Sequence, residues 1–213
     1  MAAPIAIINT RAANLHSVSK ALERVGANAK ITSDPSEIAN APGAVLPGVG
    51  ASDAVMAALN GQGLTEHVLS YATSGRPLLC ICLGMQVLFE KSEEGDLPGL
   101  GVLKGEVKRF PAGLSENGRK LKVPHMGWNS VRFSHEAQSH PVFSGIPQDS
   151  YFYFVHSYRC IPDDPSVIAG TARYGEDVCA AVIQGEIAGT QFHPEKSGEI
   201  GLQIYENFSH RVR

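Results

Sequence analysis

The sequence is poor in the features that mark metal-binding, secreted or membrane-spanning proteins. Only four of its 213 residues are cysteines, and none of them forms a Cys-x-x-Cys pair of the kind found in zinc ribbons. No apolar stretch is long enough to span a bilayer, and the N-terminal residues lack the basic and long apolar segments of a secretory signal. We therefore expect a cytoplasmic protein with free thiols, no metal and no cofactor.

An excess of charge of either sign is also missing. The chain has 18 Lys and Arg residues against 21 Asp and Glu residues, and the net charge of −3 predicts no basic surface suited to nucleic acid. We expect neither nucleic acid nor a membrane among its partners. The composition, with 43% hydrophobic and 18% charged residues, is that of an ordinary globular protein. Because the sequence contains no internal repeat or clear linker, we predict one domain over residues 1–213.

The first part of the chain alternates short apolar runs with segments of helical periodicity. Val18 and Leu22 recur at helical spacing, for example, and Asp34-Pro35 is typical of a helix start. Predicted strands cover residues 5–9, 30–32, 43–46 and 77–82, and predicted helices cover 15–25, 35–40, 52–59, 64–74 and 85–89. This alternation favours a parallel sheet covered by helices on both faces.

After about residue 100 the pattern changes to shorter strands separated by turn-rich connections. Predicted strands cover 105–110, 121–123, 128–133, 151–155, 167–172, 178–184 and 187–191, and a last helix covers 197–211. Residues 92–100, 111–118 and 135–149 are predicted as loops or connections. The predicted fold class is therefore α/β, with a mixed, mostly parallel central sheet, helices on both faces and added antiparallel strands.

Cys82 is the main candidate for a reactive side chain. It ends an apolar strand, Gly84 follows two residues later and a helical segment comes next, which is the strand–turn–helix pattern of a nucleophile elbow. The N-terminus of that helix would favour a thiolate and then an oxyanion, for which the backbone N–H of Leu83 is the expected donor. Cys80 lies within the same apolar run and is interpreted as a core residue.

A nucleophilic cysteine needs a base, and the base needs a group that orients it. His193 and Glu195 stand on one short His-Pro-Glu turn, and we expect both side chains on the same side of an extended segment. In this hypothesis Cys82 attacks a carbonyl carbon, His193 transfers the proton and Glu195 orients the imidazole. The glycine-containing loop at 47–50 could turn a peptide N–H towards the same site.

Three motifs together resemble the class I, or triad, glutamine amidotransferases: Cys82-x-Gly84-x-Gln86, Pro-Gly-Val-Gly at 47–50, and His193-Pro-Glu195. Other stretches are similar to one branch of that family, the glutaminase subunit of imidazole glycerol phosphate synthase. They are Val-Pro-His-Met-Gly-Trp-Asn at 123–129, Tyr-Phe-Val-His-Ser-Tyr at 153–158 and Glu-Lys-Ser at 195–197, followed by Gly-Leu at 201–202 and Asn-Phe at 207–208. The resemblance covers nearly the whole chain and implies a flavodoxin-like sheet.

The resemblance implies a glutaminase that hydrolyses glutamine to glutamate and ammonia through a thioester on Cys82. It further implies a heterodimer, in which the ammonia passes to a (β/α)8-barrel cyclase that makes imidazole glycerol phosphate and an aminoimidazole carboxamide ribotide in histidine biosynthesis. Further residues receive roles from the same resemblance. Val49 and Leu83 would form the oxyanion hole, Gly50, Gln86, Ser157 and Tyr158 would bind glutamine, and Asn14, Trp128, Tyr153 and Lys196 would lie at the partner interface or the ammonia path.

One segment departs from the family pattern. The family has an Asp-Tyr-Gly-x-Gly-Asn-Leu type of segment after its first strand, whereas this chain has Arg11 and Ala13 in place of the two glycines. Positive φ angles are costly for such residues, so we expect a different loop shape there.

Three other functions stay open. The chain could be the glutaminase subunit of a pyridoxal phosphate, anthranilate or GMP synthase, although the motif at 124–129 and the Glu-Lys-Ser sequence argue against this. It could be a catalytically silent binding module, which would have no need for Cys82, His193, Glu195 and Gln86 together. It could also be a cysteine peptidase, which peptide hydrolysis without glutaminase activity would support.

Overall fold

The computed structural model of the chain describes residues 3–11 and 14–212, and these contain fourteen strands and seven α-helices. The strands are β1 (Ile5–Ile8), β2 (Ala29–Thr32), β3 (Ala44–Gly48), β4 (Leu78–Cys82), β5 (Lys91–Ser92), β6 (Gly105–Arg109), β7 (Ser115–Glu116), β8 (Arg119–Lys120), β9 (His125–Phe133), β10 (Ser150–His156), β11 (Tyr158–Pro162), β12 (Ile168–Tyr174), β13 (Glu176–Gln184) and β14 (Ile187–Thr190). The helices are α1 (Leu15–Arg24), α2 (Pro35–Asn40), α3 (Ser52–Gly61), α4 (Thr65–Ala72), α5 (Leu83–Gln86), α6 (His135–Ser139) and α7 (Gly198–Arg211).

The main sheet is half parallel and half antiparallel. Its strand order is β10-β9-β12-β13-β14-β4-β3-β1-β2. Strands β14, β4, β3, β1 and β2 pair in parallel, and the remaining pairs, from β14 outwards to β10, are antiparallel. In register, Gly48 at the end of β3 faces Cys82 at the end of β4, and Thr190 of β14 faces Ile81. The carboxyl ends of three neighbouring strands therefore meet at one edge, which is where open α/β sheets form their ligand sites.

Helices cover both faces of the parallel half because its strands are apolar on both sides. Ile7 and Val45 pack with Leu22 of α1 and with Ile204 of α7 in one core cluster. Their sequence neighbours turn to the other face, where Leu46 belongs to a cluster that contains residues of α2, α3 and α4, including Ile38, Val55 and Val68. A strand buried on both faces shows continuous rather than alternating hydrophobicity. The predicted mixed α/β fold is confirmed.

Two predicted elements are wrong. The helix predicted at 85–89 is the single turn α5, because the backbone carbonyls of Val87 and Leu88 accept hydrogen bonds from Leu100 and Leu103, which return alongside (2.7 and 2.9 Å). Residues 121–123 do not form a strand. The hairpin β7–β8 lies just before them, around an Asn-Gly turn at 117–118 with φ angles of 49° and 76°, and Asn-Gly is a strong hairpin signal.

Strand β11 and helix α6 were not predicted from the sequence. Strand β11 ends in Pro162 and forms the edge of a small separate sheet in the order β11-β6-β5. A proline is tolerated there because an edge strand leaves one row of N–H groups without a strand partner. Helix α6 lies inside the connection predicted at 135–149, and the Ser134 hydroxyl caps it by accepting from the Ala137 N–H (3.1 Å). None of the helices in the described ranges is both long and apolar enough to cross a membrane.

Candidate active site

The turn at Cys82 has an uncommon backbone conformation. Its φ of 55° and ψ of −111° lie outside the regions that non-glycine residues normally occupy. Such a conformation costs about 1–3 kcal/mol and persists only where the surrounding structure enforces it. Here β4 ends at Cys82 and α5 starts at the next residue, so the sharp turn sets the side chain at the N-terminus of a helix. Cys80, two residues earlier, is fully buried in the core.

Two glycines allow the neighbouring backbones to approach this turn closely. A Cβ at Gly84 would collide with the backbone carbonyl oxygen of Leu46, and one at Gly48 would lie only 2.8 Å from the Leu83 Cβ. The end of β3 therefore packs directly on the elbow. The peptide units of Val49 and Gly50 follow, with φ of 101° at Gly50, and both residues line the same cavity as Cys82.

We expect Gly84→Ala to damage the elbow. The new methyl group would have to displace backbone rather than a movable side chain, which costs about 1–3 kcal/mol or more in the free energy of unfolding. Urea denaturation and Cys82 alkylation would measure the loss of stability and of sulfur reactivity. Gly61→Ala is the matched control, because nothing lies within 4 Å of a Cβ there. That substitution should be neutral or stabilise α3 by up to about 1 kcal/mol. Equal stability of the two variants would contradict this account of the elbow.

His193 and Glu195 are joined by a hydrogen bond, but not in the predicted geometry. His193 precedes a 3₁₀ turn, Pro194–Lys196, rather than lying with Glu195 in an extended segment. Pro194 favours this turn because its fixed φ suits the first helical position. Nδ1 of His193 lies 2.8 Å from a carboxylate oxygen of Glu195, and both side chains are almost completely buried.

The backbone on either side of this turn is held to β10. The N–H of His193 donates to the carbonyl of Tyr153 (2.9 Å). The Ser197 hydroxyl donates to the His193 carbonyl (2.6 Å) and accepts from the Tyr153 N–H (3.0 Å). The imidazole is therefore placed by a rigid connection to the sheet, as a catalytic base requires.

Glu195 is surrounded by donors. Asn14 donates to the same carboxylate oxygen that His193 contacts, and the Tyr205 hydroxyl lies 3.4 Å from the other oxygen. Burial by itself would raise the pKa of Glu195, but the hydrogen bond and positive charge of His193, assisted by Asn14, lower it. Burial would likewise lower the pKa of His193, whereas hydrogen bonding and charge from the Cys82 sulfur and the Glu195 carboxylate raise it. The site therefore favours an imidazolium beside a carboxylate.

The reactive groups open into one cavity of about 530 Å³. Its lining residues are Asn14, Val49, Gly50, Cys82, Leu83, Gln86, Glu94, Pro124, Val155, His156, Ser157, Tyr158, His193 and Lys196. Nε2 of His193 and Oε1 of Gln86 are buried and have no hydrogen-bond partner among the residues that the structure describes. Buried polar atoms without partners are unusual in a folded protein, and in a cavity they are suited to bind a ligand.

Most residues predicted for the site lie around this cavity, and three do not line it. Glu195 lies behind His193. Trp128 and Tyr153 face each other on β9 and β10, with ring centroids 6.2 Å apart, and Trp128 is 56% exposed. Lys196 connects the cavity with the Trp128–Tyr153 pair, since it lines the cavity and its Nζ lies 5.8 Å from the centroid of the Tyr153 ring.

The segment with the missing glycines adopts a conformation that we expected it to avoid. Arg11 has a φ of 54°, and its N–H donates to the side-chain oxygen of Asn9 (2.9 Å), which stabilises the turn locally. Asn14 also has a positive φ, of 91°. Ala13 lies outside the described residues.

Several polar groups of the site were not predicted from the sequence. Gln191 is fully buried, and its Nε2 lies 3.7 Å from the Cys82 sulfur. Glu94 lines the cavity and accepts from the Ser52 N–H (2.8 Å), while burial raises the pKa of its carboxyl group. His156 is buried beside the turn at Ser157. His156 directly precedes the predicted site residue Ser157, and Gln191 lies two residues before His193. This proximity in sequence is the one signal that could have pointed to them. Nothing in the local sequence marks Glu94.

Comparison with known proteins identifies the family. The family model described as glutamine amidotransferase class-I matches residues 6–212. A protein of Thermosynechococcus vestitus named imidazole glycerol phosphate synthase subunit HisH is 50% identical over 210 residues, which cover 98% of this chain and 97% of that protein. The protein of the same name from Moorella thermoacetica is 49% identical, over 99% of this chain and 96% of its own length. The chain is a class I glutamine amidotransferase of the HisH family.

The family membership inferred from the motifs is thus confirmed. A solved structure described as a crystal structure of glutamine amidotransferase superposes with a TM-score of 0.72 over 98% of both chains, at 20% sequence identity. At that identity the likeness supports the fold alone.

Proposed function

We propose that this chain hydrolyses L-glutamine to glutamate and ammonia through a thioester on Cys82. The ammonia passes to a (β/α)8-barrel cyclase partner, which makes imidazole glycerol phosphate and an aminoimidazole carboxamide ribotide in histidine biosynthesis. The observation that carries the proposal is the presence of Cys82 and His193, backed by Glu195, around one cavity in a chain of the HisH family.

We further propose that residues 1–213 act as a single domain, and that the heterodimer works in the cytoplasm. Four free cysteines agree with a reducing compartment.

The first half of the reaction forms the thioester. The Cys82 thiolate attacks the carboxamide carbon of glutamine, and the carbonyl oxygen becomes an oxyanion. The N–H of Leu83, at the start of α5, and the N–H of Val49 act as its donors, and each such donor is worth about 10²–10³ in rate. His193, protonated because the Cys82 sulfur and the Glu195 carboxylate favour its imidazolium form, gives its proton to the leaving nitrogen. Ammonia departs and the acyl group remains on sulfur.

The second half releases glutamate. His193, now neutral, takes a proton from water, and the resulting hydroxide attacks the thioester carbonyl at the same oxyanion site. The tetrahedral intermediate collapses, the Cys82 sulfur leaves as a thiolate, and the imidazolium forms again. Glu195 keeps the ring in one orientation throughout, because its carboxylate holds Nδ1 (2.8 Å) and leaves Nε2 for proton transfer.

Several cavity residues suit the two ends of glutamine. Oε1 of Gln86 has no partner among the described residues and would accept from the substrate amide nitrogen. The backbone of Gly50, Ser157 and Tyr158 would bind the amino-acid end through its carboxylate. Glu94 would attract the α-ammonium group, since it is the acidic side chain that lines the described cavity.

The partner is proposed to dock on an exposed face of β9 and β10. Trp128 pairs with Tyr153 across the two strands, and Met126 lies on the same face, 62% exposed. Large apolar side chains exposed together indicate an interaction surface. The face also continues to the cavity through Lys196, so ammonia would have a short route from Cys82 to the partner. Asn14 is proposed to lie where this interface meets the site, because it lines the cavity and donates a hydrogen bond to Glu195.

We expect Trp128→Ala to weaken binding of the cyclase by about 2 kcal/mol or more, which is about thirtyfold in Kd. A central, exposed tryptophan typically carries much of the energy of an interface. Calorimetry or surface binding with the purified cyclase would measure the change. His67→Ala, at an exposed position of α4, is the control and should leave Kd unchanged. An unaltered Kd in the Trp128 variant would place the interface elsewhere.

The function itself is tested by glutamate release with and without a purified barrel cyclase and its nucleotide substrate. We expect the isolated chain to be a poor glutaminase, and the complex to be about 10²–10³ times faster, if the Val49 peptide completes the oxyanion hole only after the partner binds. High activity of the isolated chain would refute this mode of activation. Absence of glutamate release in both conditions would refute the proposed function.

A further inference from the structure

The Cys82 sulfur contacts a buried amide that the mechanism above does not use. Nε2 of Gln191 lies 3.7 Å from Sγ, and the Gln191 side chain is completely buried between β14 and the His193 turn. A glutamine in such a place must have both ends of its amide satisfied. Its oxygen accepts from Nε2 of Gln86 at 2.9 Å.

The orientation of both amides follows from one backbone carbonyl. The carbonyl oxygen of Tyr158 can only accept, and the side-chain amide of Gln86 lies 3.2 Å from it, so the NH₂ group of Gln86 must face that carbonyl. The same NH₂ group donates to Gln191, which requires the Gln191 oxygen to face Gln86. The NH₂ group of Gln191 is then turned towards the Cys82 sulfur.

The Tyr158 carbonyl is fixed from its other side by a pair of histidines. Nδ1 of His156 lies 2.8 Å from that carbonyl and must therefore donate to it. Nε2 of His156 is 2.9 Å from Nδ1 of His125, and Nε2 of His125 is 3.3 Å from Nδ2 of Asn129. With both rings neutral, each hydrogen bond allows only one tautomer, in which Asn129 donates to His125 and His125 donates to His156.

Both rings are in fact held neutral. Burial lowers the pKa of His125 to about 4 and that of His156 to about 3. His125 also stacks on the rings of Tyr174 and Phe154, with centroid distances of 3.9 and 4.7 Å. A buried network with every donor assigned is rigid, and rigid support is what keeps a reactive atom in position.

We propose that Gln191 is a positioning residue for the Cys82 sulfur, oriented through Gln86 by the Tyr158 carbonyl. This inference rests on the proposed function only for its kinetic consequence, because the contact with sulfur exists without substrate. An N–H aimed at sulfur stabilises negative charge that develops on the sulfur during the reaction and restricts the rotamers of the side chain. The same arrangement joins the nucleophile to the 157–158 backbone, where the amino-acid end of glutamine is proposed to bind.

The test compares Gln191→Leu with Thr190→Val. Leucine keeps the bulk of the side chain and removes the amide. Thr190, the neighbouring residue, is equally buried, does not line the cavity, and donates its hydroxyl to the Phe192 carbonyl (3.0 Å), so valine removes a buried hydrogen bond away from the sulfur. Two rates are measured: alkylation of Cys82 by iodoacetamide, and glutamine hydrolysis by the complex with the cyclase.

We expect Gln191→Leu to slow alkylation and to lower kcat by about tenfold each, with KM changed less than about twofold. Thr190→Val should leave both rates unchanged and lower only the melting temperature. If the Gln191→Leu variant is alkylated and hydrolyses glutamine at the same rates as the Thr190→Val variant, Gln191 is merely structural and the proposal is overturned. If Gln191→Leu does not fold, Gln191→Met is used, since methionine fills irregular space more easily. If the wild-type complex does not hydrolyse glutamine, the proposed function fails, and the alkylation rates still decide the role of Gln191.

Discussion

Cys82→Ala is expected to abolish glutamine-dependent synthesis by the complex while leaving synthesis from added ammonia intact. Loss of the nucleophile from a triad hydrolase lowers kcat by about 10⁶-fold, which is effectively to the background of the assay. Ammonia supplied in solution can enter the cyclase directly, so the partner's own reaction does not need the thioester. Product formation measured with glutamine and with ammonium salts, at equal enzyme concentration, separates the two activities.

Cys80→Ala provides the control for this experiment. Cys80 belongs to the same strand but is completely buried in the core, and burial raises the pKa of its thiol well above the ordinary value. Its removal should cost about 1–2 kcal/mol of stability and leave both activities in place. Loss of the ammonia-dependent reaction in the Cys82 variant would contradict the proposed division of labour between the two subunits. Retention of glutamine-dependent synthesis would exclude the thioester.

Glu195→Gln is expected to produce the second largest effect, a loss of about 10²–10⁴ in kcat. In a serine triad the corresponding amide leaves the geometry intact but holds the imidazole in the wrong tautomer, at a cost of about 10⁴. Here the amide would in addition remove the negative charge that raises the pKa of His193. We therefore expect that pKa to fall in the variant. A histidine ring titration followed by NMR, combined with kcat at each pH, would measure both changes.

Glu195→Gln should also change how the free energy of unfolding depends on pH. The pKa of Glu195 is lowered by folding, so its contribution to the free energy of unfolding is present above its unfolded pKa of about 4.3 and is lost as pH falls through the folded value. The pKa of His193 is raised, so its contribution is present below about pH 6.5 and is lost as pH rises through the folded value. Wild type and Glu195→Gln should therefore differ most near pH 5–6 and converge towards both extremes.

Glu199→Gln is the matched control for the pH experiment. Glu199 lies four residues further on, and its carboxylate is 84% exposed in an ion pair with Arg24. Exposed pairs of this kind contribute little, so the control should follow the wild-type curve within about 0.5 kcal/mol. Equal pH profiles for all three proteins would mean that the buried carboxylate does not act on His193.

The position of the elbow could be predicted because its causes are local. An apolar strand that ends in Cys82, with Gly84 two residues later, predicts a strand–turn–helix unit, and the register of Gly48 with Cys82 agrees with that prediction. The alternation of apolar and amphipathic segments predicted the parallel half of the sheet for the same reason. The length of α5 could not be predicted from local sequence, because its end depends on hydrogen bonds from Leu100 and Leu103, which are distant in sequence.

The sequence by itself determined the family, the mixed α/β fold and the presence of a cysteine, a histidine and a glutamate in motifs suited to acyl transfer, because such motifs and hydrophobic periods are local properties. Only the tertiary structure decided what surrounds those groups. It placed Asn14 and Tyr205 on Glu195, Gln191 on the Cys82 sulfur, and Glu94 in the cavity wall. These contacts depend on strand order and on chain segments that lie far apart in sequence, and no local pattern encodes them.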